Sequence, residues 1–277
     1  MFSGDLGYRD APVMNPAARL THADVVLLES TYGDRLHRPI AATMEELTEV
    51  FQTARAAQGN ILIPAFTIGR TQDLLHLMVE NYSKWNLEDW HIFLDSPMAI
   101  EATGVYARFR HLYDTQLFGK DSNHPDLPHR YQSKTPEESM KINELESGAI
   151  IIAGSGMCSG GRILHHLKHN VWRPQCHLVI VGFQAYGTLG RRLVDGAETI
   201  KLWGDEYRVR IRVHTIGGLS AHADQQDLVD WYSAFEDRPP VYLVHGETDA
   251  QRPLAKRLRD ELGAPVSMAQ RGQKIEV

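Results

Sequence analysis

Residues 217–224 read Gly-Gly-Leu-Ser-Ala-His-Ala-Asp, a turn of small residues that carries a single histidine. Before this turn, residues 209–216 alternate apolar and polar side chains, which predicts a half-buried strand; the apolar spacing after it predicts a helix. His222 therefore lies at a strand-to-helix junction, where side chains are exposed and backbone N–H groups are unpaired. A purely structural interpretation stays open here, in which Ser220 or Asp224 caps the helix and His222 is an ordinary loop residue.

Outside this turn, short apolar runs alternate with stretches that have helical spacing. The four clearest runs are residues 61–64, 91–95, 149–154 and 177–182. Short buried strands separated by helices predict parallel β-α units and an α/β fold. In such sheets, ligands bind beyond the carboxyl ends of the strands, which makes the loops at these ends candidate binding segments.

The glycine-rich loop at residues 154–162 is one such segment. Its backbone N–H groups, at Ser155 and Gly156 among others, are predicted to face a phosphate, and Arg162 would supply positive charge. Glycine-rich turns are also common without a ligand, and this loop lacks the Gly-Lys-Ser/Thr ending of a nucleotide P-loop.

Several histidines have a simpler interpretation. Three of them, His165, His166 and His169, lie on the helix after the glycine-rich loop. Their spacing would suit a metal, but no second pair supports one, so we expect a solvated or groove-facing helix surface. Residues 119–136 are predicted to form an irregular surface loop with solvated histidines, His124 and His129.

Composition limits the class of protein. With 277 residues, of which 43% are hydrophobic and 23% charged, the chain is predicted to form one large or two modest globular domains. No apolar run is long enough to span a bilayer and no signal peptide is recognisable, so we expect a cytoplasmic protein without membrane contact. Two cysteines suggest reduced thiols. The net charge of −6 argues mildly against a general nucleic-acid binder, although a local basic groove remains compatible with it.

Four polar side chains stand at predicted strand ends or beside glycine turns. They are Asp5, Glu29, His222 and His245. Each alone is commonly a structural residue, but four in equivalent positions favour a shared polar site.

Seven short motifs then follow one another along the chain. They are Ser-Gly-Asp-Leu-Gly (3–7), Glu-Ser-Thr-Tyr-Gly (29–33), Ile-Pro-Ala-Phe-Thr-Ile-Gly-Arg-Thr-Gln (63–72), Leu-Asp-Ser-Pro-Met-Ala (94–99), Gly-Ser-Gly-Met (154–157), Leu-Ser-Ala-His-Ala-Asp (219–224) and Val-His-Gly-Glu (244–247). This ordered set resembles the β-CASP group of metallo-β-lactamase-fold ribonucleases, which includes the pre-mRNA 3′-end cleavage endonuclease and its bacterial and archaeal relatives. The resemblance implies a parallel-sheet β-CASP domain, residues 36–195, inserted into a partial metallo-β-lactamase αββα lobe. Residues 1–35 and 196–277 would form that lobe, and the second stretch would carry its RNA-metabolising motif.

The resemblance also implies the role of each polar residue. In these nucleases two zinc ions activate a water to attack an RNA phosphodiester. Asp5 resembles the carboxylate that bridges the ions, and His245 resembles a terminal ligand of one ion, in a motif form associated with RNA rather than DNA. His222 resembles the histidine that donates a proton to the leaving oxygen, oriented by Glu29. The Gly-Ser-Gly-Met loop and Arg70 resemble parts of the RNA-facing cleft.

One departure from the family affects the expected activity. Family members carry a His-x-His-x-Asp-His motif and a further histidine ahead of the first matching motif, and this sequence has neither. Each catalytic zinc normally needs about three protein ligands. We therefore expect no stably bound di-zinc centre and little or no nuclease activity from the chain alone. Missing strands should also leave apolar surface exposed, unless a homo-oligomer or a chain that supplies the missing half covers it.

Three functional hypotheses follow. The favoured one is a C-terminal fragment of a zinc-dependent RNA endonuclease, with coding sequence upstream of Met1 that continues into the missing motif. The second is a non-catalytic RNA-binding subunit that another chain completes; retention of Glu29, His222 and His245 weakens it. The third is a small-ester or thioester metallo-hydrolase, against which the Val-His-Gly-Glu motif and the large inserted domain count.

Overall fold

The computed structural model describes residues 1–112 and 127–275, which form two compact units. The first unit combines Met1–Arg38 with Ser220–Val277, and the second is Pro39–Leu219. Part of the predicted irregular loop, with His124, lies outside the described residues. Within the described ranges, no helix is both long and apolar enough to cross a membrane.

Eleven strands and eight α-helices make up the described chain. The strands are β1 (Val26–Glu29), β2 (Ile61–Pro64), β3 (His91–Leu94), β4 (Arg130–Gln132), β5 (Ala149–Ala153), β6 (His177–Ile180), β7 (Thr199–Leu202), β8 (Asp205–Arg208), β9 (Arg212–Thr215), β10 (Val241–Val244) and β11 (Val266–Met268). The α-helices are α1 (Ile40–Ala56), α2 (Arg70–Glu80), α3 (Pro97–Arg108), α4 (Pro136–Ile142), α5 (Ile163–Asn170), α6 (Leu189–Val194), α7 (Gln225–Ser233) and α8 (Thr248–Leu262). Short 3-10 helices lie at Leu87–Asp89 and Arg110–Leu112.

A six-stranded parallel sheet forms the centre of the second unit, in the order β4-β3-β5-β2-β6-β9. Alternate side chains of β2 enter different apolar clusters: Ile61 and Ile63 pack in one, and Leu62 packs in the other. Both faces of the sheet are therefore covered, which is why its central strands are unbroken apolar runs in the sequence. The predicted parallel α/β fold is confirmed.

The first unit contains a three-stranded parallel sheet in the order β1-β10-β11. Its core includes Val26 and Leu28 of β1, Leu243 of β10, and Tyr232 of α7, all fully buried. The parallel pairing brings the carboxyl ends of β1 and β10 to the same edge of the sheet.

Several elements were not predicted from the sequence, among them β4, α4, α6 and the antiparallel β7–β8 hairpin. The start of α4 has a recognisable signal, since Thr135 and Glu138 form a capping box ahead of it. The hairpin is harder to see because its strands are short and β8 is wholly polar in sequence. The predicted boundary between the two family domains at residue 195 stays a prediction. In the structure, residues 196–219 belong to the second unit, because β9 pairs with β6 and extends the six-stranded sheet.

A buried histidine pair lies between β6 and β9. His177 is fully buried, and its Nδ1 atom lies 2.9 Å from Nε2 of His214, with the two rings stacked. Among the described residues, its own Nε2 atom has no hydrogen-bond partner. Burial, followed by the nearby His214 and Arg212, lowers the pKa of His177 to about 4.

This pair predicts a pH-dependent stability. At pH values between the ordinary pKa of a histidine and about 4, His177 binds a proton in the unfolded chain but not in the folded chain. The stabilisation is therefore present above the unfolded-state pKa and is lost as the pH falls toward the folded-state pKa. Between about pH 7 and about pH 4.5, we expect the wild type to lose about 2 kcal/mol more unfolding free energy than the variant His177→Leu. Urea denaturation at both pH values measures this difference, and equal losses in the two proteins would contradict the assignment.

Candidate metal centre and active site

The carboxyl end of the three-stranded sheet brings the predicted site residues together. Glu29 ends β1, and Val244, which ends β10, lies opposite it in the parallel register. The N–H of Ser3 donates to the carbonyl of Leu27 at 2.9 Å, so the segment that leads to Asp5 runs beside β1. Glu29, on the strand, and Asp5, on the adjoining segment, thus reach the same edge of the sheet.

His245 is held in an unusual backbone conformation directly after β10. Its φ angle is 51°, in the left-handed region that non-glycine residues seldom occupy. The Ser30 hydroxyl donates to the carbonyl of Val244 at 2.6 Å, and the Thr31 hydroxyl donates to the carbonyl of His245 at 3.0 Å. Glycine is required at position 246, because a Cβ on Gly246 would lie 2.4 Å from the Ser30 carbonyl oxygen. The residues after β1 therefore fix the position of this histidine.

His222 and Glu29 form a close pair. Nδ1 of His222 lies 3.0 and 3.2 Å from the two carboxylate oxygens of Glu29, which is 1% exposed. The carboxylate also accepts the N–H of Leu6 at 2.8 Å. Because the carboxylate accepts the Nδ1 proton, Glu29 fixes the orientation of the His222 ring. The predicted Glu29–His222 contact is thus present in the structure.

The turn that carries His222 is fixed from two sides. Asp224 caps α7 by accepting the N–H of Asp227 at 2.9 Å, and it also accepts the N–H of His37 at 3.0 Å. The His37 ring nitrogen Nε2 donates to the carbonyl of His222 at 2.9 Å. The helix cap considered for Asp224 from the sequence is therefore present alongside the Glu29 contact. The contribution of His37 was missed, because nothing in its local sequence points to a partner so distant in the chain.

Three side chains form a potential metal-binding cluster, Asp5, His222 and His245, with one ligand atom from each lying within 4.8 Å of the others. Oδ1 of Asp5 lies 3.5 Å from Nδ1 of His245, and the rings of His222 and His245 are stacked with centroids 5.4 Å apart. Tetrahedral zinc with ligands at 2.0–2.1 Å holds them about 3.3 Å apart. The carboxylate and imidazole donors thus fit zinc in chemistry and nearly in spacing.

Thr31 is a further member of the site. Its hydroxyl oxygen lies 3.2 Å from Nδ1 of His245 and 3.4 Å from Nδ1 of His222, so it contacts both histidines. Thr31 is not among the site residues predicted from the sequence. Its position two residues after Glu29, in the motif at residues 29–33, is the feature of the sequence that points to it.

The predicted RNA-binding arginines of the second unit have protein partners. Arg70 is buried, and Nη1 donates to Asp73 at 3.0 Å. Burial raises the pKa of Asp73, against the opposing effect of Arg70. Arg162 donates through Nη1 to Oδ1 of Asp95 at 2.6 Å and to the carbonyl of Ser133 at 2.8 Å. An RNA contact by either arginine stays a prediction, and it would have to coexist with these bonds.

The glycine-rich loop also satisfies part of its own backbone. The N–H groups of Ser155, Cys158 and Ile163 bond to carbonyls of the loop, and the N–H of Ser159 donates to the Ser155 hydroxyl at 3.0 Å. Gly156 packs closely, since a Cβ there would lie 2.9 Å from the Phe66 ring. These four N–H groups are therefore engaged within the loop, and phosphate binding by Ser155 and Gly156 stays a prediction.

His166 differs from the solvated residue expected for its helix. It is fully buried, and its Nε2 atom donates to Oδ2 of Asp95 at 2.7 Å, while Ser139 donates to the same oxygen at 2.6 Å. Burial alone would raise the pKa of Asp95, but the hydrogen bonds from His166, Ser139 and Arg162 outweigh it and hold that pKa below its ordinary value. The solvated interpretation of His166 is wrong, because tertiary packing buries this side chain against Asp95, which is distant in the chain.

Together, the parallel strands and the cluster of Asp5, His222 and His245 describe an α/β protein with a candidate metal-binding site. Two protein-family profiles match the chain: the Beta-Casp domain at residues 71–193, and the Zn-dependent metallo-hydrolase RNA specificity domain at residues 206–269. The chain therefore belongs to the β-CASP family of metallo-β-lactamase-fold proteins.

Several characterised proteins are similar over nearly the whole chain. Ribonuclease TTHA0252 of Thermus thermophilus is 36% identical over 280 residues, covering 100% of this chain and 64% of the ribonuclease. The RNase J-like protein of Methanocaldococcus jannaschii is 30% identical, covering 100% of this chain and 65% of that protein. Transcription termination factor FttA of Pyrococcus abyssi is 31% identical, covering 94% of this chain and 42% of the factor. The chain thus spans less than two thirds of the length of each relative.

Proposed function

We propose that this chain is part of a zinc-dependent RNA endonuclease and supplies one side of its active site. The observation that carries the proposal is the cluster of Asp5, His222 and His245, whose ligand atoms lie within 4.8 Å of one another. The RNA specificity profile over residues 206–269, which includes both histidines, supports RNA as the substrate.

Asp5 and His245 would hold zinc, since they are the closest oxygen–nitrogen pair of the cluster at 3.5 Å. When bound, zinc acts as a Lewis acid at the phosphate. His222 would act as the general acid: a water oxygen forms a bond to phosphorus and releases a proton to solvent, while the P–O bond to the leaving group breaks and the ring nitrogen that does not face Glu29 gives its proton to the leaving oxygen. Glu29 keeps the ring oriented and stabilises its protonated form.

The described cluster offers fewer donors than a pair of catalytic zinc ions requires. It has three ligand atoms, one of which belongs to His222 and is proposed for proton transfer. Because each catalytic zinc takes about three protein ligands, we propose that this cluster alone holds at most one zinc ion, and weakly. Further ligands would complete the centre.

The proposed function is tested with the protein produced from the complete reading frame that contains this chain. Zinc-dependent cleavage of an internal bond in a doubly end-labelled RNA is expected, and it should be lost when zinc is chelated. Asp5→Asn should lower both zinc content and cleavage, because an amide is a poorer zinc ligand than a carboxylate.

The matched control is Asp237→Asn, which changes an exposed acid of the same unit outside the cluster and should leave both quantities unchanged. Zinc-independent cleavage, or an Asp5→Asn variant that behaves like this control, would contradict the proposal. Hydrolysis of small esters with no RNA cleavage would instead support the metallo-hydrolase alternative.

A further inference from the structure

Trp203 has a backbone conformation that is unfavourable for a bulky side chain. It begins the two-residue turn between β7 and β8, where its φ is 51° and that of Gly204 is 94°. Two positive φ angles correspond to the type I′ hairpin turn, in which asparagine and glycine are preferred and a bulky side chain is strained. The Trp203 side chain is nevertheless 57% exposed, so the strain is not offset by burial of the ring.

The indole is fixed against the exposed face of α5. The ring centroids of Trp203 and His165 lie 4.6 Å apart, with an angle of 32° between the rings. Nζ of Lys168 lies 5.9 Å from the indole centroid, within cation–π range. The hairpin itself is anchored because Ile200 and Leu202 are buried in the core of the second unit. A largely exposed aromatic ring therefore packs against α5 beside a cation.

The charges around the ring suit an anionic ligand. Helix α5 reads Ile-Leu-His-His-Leu-Lys-His-Asn and contains no acidic residue. The acidic residues of the hairpin have neighbours of their own, since Glu206 lies opposite Lys201 in the register and Asp205 accepts a bond from the Tyr207 hydroxyl at 3.5 Å. Lys168 is the charged side chain that has a described contact with the exposed indole.

We propose that Trp203, His165 and Lys168 form a binding site for single-stranded RNA. A base would stack on the open part of the indole, and Lys168 would contact the adjoining phosphate, which is the combination used for sequence-tolerant single-strand binding. The inference rests on the proposed function, because it takes RNA as the ligand. It adds an RNA contact within the second unit, made by residues other than those of the glycine-rich loop.

The turn conformation makes Trp203→Asn a clean test. Asparagine is favoured at this φ, so the variant should unfold at the same or a higher urea concentration than the wild type. Binding of a fluorescent oligouridylate, measured with zinc chelated so that no cleavage occurs, should weaken about 10-fold or more. Lys168→Gln should reduce the magnitude of the negative slope of log affinity against log salt concentration by about 0.7, because one phosphate contact is lost.

Two control variants match these changes. Tyr131→Ala removes another exposed, stacked aromatic ring of the second unit, and Lys141→Gln removes an exposed lysine of α4; neither should alter RNA affinity by more than about 2-fold. Unchanged affinity in Trp203→Asn, or an equal loss in Tyr131→Ala, would overturn the inference.

The two proposals fail separately. Trp203-dependent RNA binding without zinc-dependent cleavage would leave this site standing and remove the proposed nuclease function. Zinc-dependent cleavage with an RNA affinity that does not depend on Trp203 would support the proposed nuclease function and remove the Trp203 site.

Discussion

Replacing His222 with alanine is expected to lower the rate of RNA hydrolysis by the zinc-loaded protein by about 10²- to 10⁴-fold. This is the range that a positioned general acid contributes. The structural reason is the contact of Nδ1 with Glu29, at 3.0 and 3.2 Å, which orients the ring for the proposed proton transfer. The rate should be measured under single-turnover conditions, so that product release does not conceal the chemical step.

Two further variants separate proton transfer from general damage to the site. Glu29→Gln keeps the shape of the side chain but weakens the orientation of His222, and it should cost about 10- to 100-fold, the range for residues that orient a functional histidine. His22→Ala removes an exposed histidine of the same unit and should leave the rate unchanged. A His222→Ala variant that cleaves RNA within about 10-fold of the wild type would contradict the assignment of this residue as the acid.

Replacing Asp95 with alanine is expected to lower the unfolding free energy of the second unit by about 3–5 kcal/mol, the range for breaking a buried ion pair. The fully buried carboxylate accepts bonds from Arg162, His166 and Ser139, and its removal leaves these donors without their acceptor. Urea denaturation followed by the fluorescence of the buried indoles Trp85 and Trp90 measures the loss.

Asp89→Ala is the matched control for this prediction, because Asp89 forms an ion pair with Arg55 in which both side chains are about half exposed. Exposed pairs contribute less than about 1 kcal/mol. The contribution of Asp95 to the unfolding free energy also depends on pH. The low pKa of the folded state means that the stabilisation is present above the ordinary carboxyl pKa and is lost as the pH falls through the lower value. An Asp95→Ala variant as stable as Asp89→Ala near neutral pH would contradict the proposed network.

The sequence was sufficient for those parts of the fold and site that local patterns encode. Apolar runs such as residues 61–64 and 149–154 predict buried parallel strands, because both faces of such strands are covered. Asp5 and Glu29 were identified from strand-end positions and from the family resemblance, and the structure places Glu29 against His222.

The remaining features depend on contacts between residues that are distant in the chain. Arg162 was interpreted as a phosphate ligand because a glycine-rich loop precedes it, yet its guanidinium binds Asp95, which follows a different strand. The support that His37 gives to the His222 carbonyl is of the same kind. Neither partner is visible in a local pattern, since tertiary packing alone brings the two residues together.

Zinc titration of this chain, followed through the ring resonances of His222 and His245, tests the central claim most directly. We expect one weakly bound zinc ion that shifts the resonances of His245, an affinity that falls about 10-fold or more in His245→Ala, and an affinity close to that of the wild type in His222→Ala. Tight binding of two zinc ions by the chain alone would contradict the incomplete centre. An equal loss of affinity in both variants would show that His222 is a zinc ligand and contradict its assignment as the proton donor.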